Sequence, residues 1–149
     1  RQKGNTDIEK AKVHAVTEGG VTFEEALLRY EKQLDKKVDG NHMKVMILGE
    51  QLMEAKALLY PTLDYIRNHN LIPRNTYVCV TDYTEELLKI QEELPTDLGS
   101  YLENYLETQK QQTNKTLITF GEWTDAYLND AGIGEIPFVK VEEGAIVWK

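Results

Sequence analysis

Cysteine and histidine are nearly missing from this 149-residue chain, which holds one Cys and three His. A single thiol, Cys79, excludes an intramolecular disulfide framework and leaves the redox compartment open. Set within Tyr77-Val78-Cys79-Val80, it reads as a small buried core residue. His14, His42 and His69 fall on separate segments without HxxxH, HxH or CxxC spacing, so no metal site has local support. Positive charge is also short. With 17 basic against 25 acidic residues the net charge is −8, and a phosphate backbone would meet repulsion, which argues against nucleic acid as a partner. Apolar runs such as Val45-Met46-Ile47-Leu48 fall far below the ~20 residues of a membrane-spanning helix. Neither a GxSxG elbow nor a P-loop occurs. The chain starts at Arg1 without an initiator methionine or signal peptide and stops just after the strand-like Ala145-Ile146-Val147. A fragment of a longer protein is therefore expected, with any anchor or targeting signal removed.

What is present is an alternation of strands and helices. A polar leader (residues 1–10) precedes a short strand at Lys12–Val16, a Gly19-Gly20 turn and an amphipathic helix. Thr22 with Glu25 makes that helix's capping box, and Phe23, Ala26, Leu27, Tyr30 and Leu34 form its apolar stripe to about Lys37. Lys44–Gly49 and Thr76–Thr81 are apolar on both faces, as in central strands covered on two sides. The helix between them, from Glu50 to about Asn68 with a kink or restart at Pro61, makes a βαβ unit with parallel strands. Thr84 is expected to cap a helix carrying Leu87, Leu88 and Ile90, and a partner helix starts at Thr96 with Leu98, Tyr101, Leu102, Tyr105 and Leu106 on one face. Gln109 to Lys115 reads as a mobile polar linker, followed by a last helix over Leu117–Asn129 that Gly132 and Gly134 end. Ile136–Val141 and Ala145–Trp148 read as a closing hairpin or the start of a following domain. The predicted fold is α/β, mixed with α+β character: a central, mostly parallel or mixed sheet covered by amphipathic helices. The main domain spans 11–136, and 137–149 are its closing strands or the start of another.

Few residues suggest chemistry. Gly19-Gly20 follows a strand, where open α/β sheets bind ligands, but glycine pairs are ordinary turn residues. Glu24-Glu25, Glu85-Glu86 and Glu92-Glu93 solvate helix faces or first turns. Asn114-Lys115-Thr116 matches a glycosylation acceptor by chance. The Tyr101/Tyr105 stripe, Trp123 and Trp148 fit core packing first and an interface second. No catalytic, cofactor-binding or metal residue is assigned.

The order of motifs says more. Gly20-Val21-Thr22-Phe23-Glu24-Glu25-Ala26-Leu27, then His42-Met43-Lys44-Val45-Met46-Ile47-Leu48-Gly49-Glu50-Gln51-Leu52, resembles the pattern of the spore germinant-receptor C subunit, the Ger(x)C family. Leu63–Arg67, Arg74–Val80 and Glu86–Leu88 continue it, so the resemblance covers about Val16 to Leu106. It implies the N-terminal domain of a non-enzymatic lipoprotein on the outer face of the spore inner membrane, acting in germination with membrane-embedded A and B subunits. Membrane attachment would come only through a lipid anchor absent from this chain, and Pro137 to Lys149 would lie at the border with a second domain. By position in the pattern, His42, Glu50, Arg67 and Arg74 are the structural or partner-contact candidates, with buried hydrogen bonding as the plainer role for each. Two other readings stand beside this one. A stand-alone small-molecule-binding domain would have its pocket near Thr17–Gly20, Gly49-Glu50 and Thr81-Asp82; a small enzyme would assemble its site non-locally.

Overall fold

The computed structural model describes residues 43–129 and 135–149. At its centre, β1 (Val45–Gly49) and β2 (Tyr77–Thr81) pair in parallel, in register from Val45 opposite Tyr77 to Gly49 opposite Thr81. Successive strand side chains point to opposite faces, so a run apolar at every position feeds two cores. Val45, Ile47, Tyr77 and Cys79 face one core and Met46, Leu48 and Val78 the other. Val78 to Thr81 are all buried, whereas β1 is mostly half-buried because among the described residues it pairs with β2 alone.

The crossover from β1 to β2 is α1 (Glu50–Glu54) and α2 (Lys56–Asn68). The helix breaks at Ala55, with φ −91° and ψ 73°, and Pro61 lies inside α2; the break expected at Pro61 therefore falls earlier. Ala57, whose carbonyl Pro61 deprives of a donor, is exposed as Pro61 is, so water can satisfy it and the helix continues. Leu59, Leu63 and Ile66 turn inward onto the Leu48/Val78 face, where α5 (Phe120–Leu128) adds Phe120 and Trp123.

The opposite face is covered by α3 (Thr84–Gln91) and α4 (Leu98–Thr113), which bring Leu87, Leu98, Leu102 and Leu106 onto Cys79. The expected cap of one helix and the expected start of the next shift by short steps. Thr84 is the first helical residue of α3, and Thr81 accepts the Tyr83 N–H instead; Asp97, not Thr96, caps α4, accepting the Ser100 N–H at 2.8 Å. These bonds stabilise the charged form of Asp97 and lower its pKa.

The linker expected from Gln109 is absent: helix α4 runs through Thr113 and stops at Asn114, whose φ of 59° is left-handed. Leu117 and Ile118, expected as helix, are extended, and α5 starts only at Phe120 behind the Thr119/Glu122 capping box. The closing hairpin is β3 (Val139–Glu142) and β4 (Ala145–Trp148), antiparallel, turning at Glu143 and Gly144, both with positive φ. Val139, Ile146 and Trp148 pack into the Cys79 core. The strand at Lys12–Val16, the Gly19-Gly20 turn, the helix from Thr22 and Gly132/Gly134 lie outside the described residues.

Candidate functional site

The far edge of β2 changes partners along its length. At its start, the Val78 N–H donates to the Ile118 carbonyl and the Phe120 N–H to the Thr76 carbonyl, an antiparallel pairing; two residues on, the Val80 N–H donates to Pro137, in a parallel bridge to Phe138. Two chain segments thus share one strand edge and must diverge where they meet. The fork opens a cleft of ≈ 890 Å³ at the carboxyl end of β1 and β2, the place where open α/β sheets bind ligands.

Four elements line it, β2 contributing Val80. Glu50, Met53 and Glu54 come from α1, Asn114 to Thr116 from the end of α4, and Glu135 to Phe138 with Trp148 and Lys149 from the hairpin and its approach. The Lys115 ammonium donates to the carbonyls of Trp148 and Lys149 at 3.2 and 3.4 Å and sits 5.2 Å from the Trp148 ring centre. Lys149 places its own ammonium 5.2 Å from the centre of the Phe138 ring.

A second cleft, ≈ 730 Å³, shares the wall Asn114–Thr116 and is lined by Tyr77, Glu107 and Lys110. There Tyr77 donates to Glu107 at 2.8 Å, a bond to the neutral phenol that, with desolvation, pushes its pKa up to about 12.

Of the four structural or partner-contact candidates, Glu50 alone reaches the first cleft; Trp148, read from sequence as core or interface, lines it too. His42 lies outside the described residues. Arg67 pairs with Asp64 at 3.5 Å on the surface of α2. Arg74 precedes β2, at the end of the strands away from the cleft, and its side chain is 63 % exposed, so buried hydrogen bonding does not describe it. It pairs with Asp125 at 2.6 Å and lies across Gly121, whose N–H donates to the Arg74 carbonyl at 2.8 Å. Of the pocket expected near Thr17–Gly20, Gly49-Glu50 and Thr81-Asp82, Glu50 lines the cleft, Val80 stands in place of Thr81-Asp82, and Thr17–Gly20 lies outside the described residues. Lys115 and Phe138 gave no local signal, and Trp148 only that of its residue type, since distant segments meet only through the pairing of β2.

The Arg74 contact makes Gly121 specific. A Cβ there would lie 2.9 Å from the Arg74 guanidinium and 3.0 Å from the Arg74 Cβ. The guanidinium can swing aside, but the backbone hydrogen bond holds the Cβ in place. Gly121→Ala is expected to lower stability by about 1 kcal/mol, the overlap outweighing the helix-propensity gain of up to ~1 kcal/mol. Urea unfolding measures this, and a raised midpoint would refute it. Asp125→Asn, which breaks only an exposed ion pair, should change stability by less than about 1 kcal/mol.

Among the described residues no group of three or more His, Cys, Asp and Glu is placed to hold a metal ion, and no helix is long and apolar enough to cross a membrane. A parallel strand pair enclosed by helices and a hairpin, with a cleft at its carboxyl end, defines a mixed α/β domain. The chain belongs to the spore germination protein N-terminal domain family, which it matches over residues 1–141. That match extends beyond Val16–Leu106, where the sequence resemblance was found. No curated protein and no solved structure matches the chain.

Proposed function

We propose that this domain is a non-enzymatic assembly module of a nutrient germinant receptor: the N-terminal part of its C subunit, working with membrane-embedded A and B subunits on the outer face of the spore inner membrane. The full-length protein would be held there by a lipid anchor, with a further domain following the hairpin. Membership of the spore germination family carries this reading. A contact surface supports it. Leu58 is 53 % exposed and Tyr60 39 %, on opposite flanks of α2, and Tyr60 stacks on Tyr127 of α5 with ring centres 4.6 Å apart. Lys56 lies 5.8 Å from the Tyr60 ring centre and gives the patch a polar margin. A stacked tyrosine pair with a charged margin is the composition of an interaction hot spot.

The test is made in the intact receptor. Leu58→Asp with Tyr60→Ala is expected to slow nutrient-triggered germination about tenfold or more, with C-subunit levels unchanged and less A and B subunit co-purifying. Arg67→Ala and Arg74→Ala test the other two described surface candidates in the same assay. Normal germination and normal association at normal protein levels in all of these variants would count against an assembly surface here. Small-molecule binding is favoured by one observation, the cleft at the fork.

A further inference from the structure

β1 has the composition of a central strand and, among the described residues, stands at an edge. Val45, Met46, Ile47 and Leu48 are all apolar, yet the first three are only half-buried, and β1 pairs with β2 alone. The Tyr77 N–H donates to the Lys44 carbonyl, so alternation along the strand turns the backbone of Met46 and Leu48 towards β2 as well. The N–H and C=O groups of Val45, Ile47 and Gly49 therefore face away from β2, along an edge that no described residue pairs.

Such an edge accepts any extended chain, and proteins that leave one open protect it with charge, proline or a bulge. β1 has none of these: its five residues carry no charge and no proline, and its register with β2 is unbroken. The other side of the sheet is taken, since β2 gives its far edge to Ile118, Phe120 and Phe138. A further strand can join only beside β1.

The chain itself supplies one. Lys12-Val13-His14-Ala15-Val16 has the alternation of a strand, and residues 17–43 lead from it directly into β1 through the amphipathic stripe Phe23, Ala26, Leu27, Tyr30 and Leu34. The same order of strand, helix and strand joins β1 to β2, and a crossover of this kind serves parallel neighbours. A right-handed crossover reaching β1 from the side away from β2 lies on the face that α2 covers. Lys12 would then stand on the new outer strand and give it the charge that β1 lacks. A second copy would have to find this edge from solution, whereas a tethered segment is present at a high effective concentration.

We propose that Lys12–Val16 pairs in parallel with the free edge of β1, with its crossover on the face covered by α2. The edge is closed within the chain, so a partner protein docks elsewhere on the domain and does not add a strand to β1. The proposal is independent of the receptor reading, and either can fail without the other.

Amide exchange and nuclear Overhauser contacts in the 149-residue chain test it. The Val45 and Ile47 N–H groups are expected to exchange about 100-fold or more slowly than in an unstructured peptide, and contacts should join residues 12–16 to residues 45–49. In Val13→Pro/His14→Pro one of the two prolines must delete a donor to β1, because neighbouring residues in a strand face opposite ways. Protection of Val45 and Ile47 should then drop about tenfold or more, while Val78 and Val80, which donate to Ile118 and Pro137, keep theirs. If the prolines unfold the whole domain, the contacts in the unaltered chain decide. The proposal is overturned by rapid exchange of Val45 and Ile47 in the unaltered chain, by absence of those contacts, or by protection that survives the prolines. Contacts between differently labelled copies of β1, or protection lost on dilution, would also overturn it and assign the edge to a second copy.

Discussion

Leu102→Ala is expected to remove about 3 kcal/mol of folding stability, and Leu63→Ala a similar amount. Leu102 is fully buried and Leu63 is 1 % exposed, and each loses most of its side-chain volume at a site closed by neighbours. They belong to different cores, one on each face of the β1–β2 pair. Sites that share no partners have additive effects, so the double variant should lose about 6 kcal/mol. A domain of this size commonly has only about 5–15 kcal/mol to lose, so the double variant should forfeit from about two-fifths to all of its stability. Urea unfolding followed by far-ultraviolet circular dichroism measures all three. A double variant no worse than either single one would show that the two faces are not separate cores.

Cys79 should be inert in the folded protein and reactive only on global opening. Its side chain is fully buried between β1, α4 and the hairpin, and burial pushes the thiol up to about 12 from 9.0. Thiolate is the reacting species, so labelling by a disulfide reagent near pH ~8 should be slower than in urea by about 1,000-fold or more, tracking the unfolding equilibrium. Fast labelling of the folded chain would show that the centre opens locally. The same shift sets the alkaline limit. The folded-state pKa lies above the unfolded one, so the unfolded chain releases its proton first. The contribution is therefore complete below pH ~9 and lost progressively as pH rises towards ~12. The Tyr77 phenol, raised in the same direction by Glu107, adds to the loss over the upper part of that range. In Cys79→Ala, stability should fall less steeply above pH ~9, even if the variant is weaker at neutral pH.

The centre of the fold was legible because β1 and β2 are apolar at consecutive positions, a pattern that only a strand covered on both sides uses fully. The errors arose where polarity and element type part company. Gln109 to Thr113 are polar because the last turns of α4 run into solvent beyond Leu106, and a solvated helix end has the composition of a linker. Leu117 and Ile118 carried a signal that starting the helix at Leu117 obscured: adjacent large residues serve opposite cores, which an extended chain achieves and a helix does not. Ala55 breaks a helix without glycine or proline, so nothing local marked it. In the cleft, Glu50 could be foreseen from its place after a parallel strand, and Trp148 only from its residue type. Lys115, Phe138 and Trp148 become neighbours through the partner change on β2, which no local pattern encodes.

The end of β4 is tied in more than one direction. The Trp148 N–H donates to the Tyr105 hydroxyl at 2.8 Å, the Lys149 N–H to the Phe138 carbonyl at 2.8 Å, and Lys115 reaches both terminal carbonyls. A hairpin pulled from its open end ordinarily unzips one pair at a time under little force. Here tension on Lys149 must first detach a tyrosine of α4 and the lysine just beyond its last turn, so the load passes into a 16-residue helix. A tug at this corner would therefore load α4, whose Leu102 and Leu106 pack into the core with Cys79.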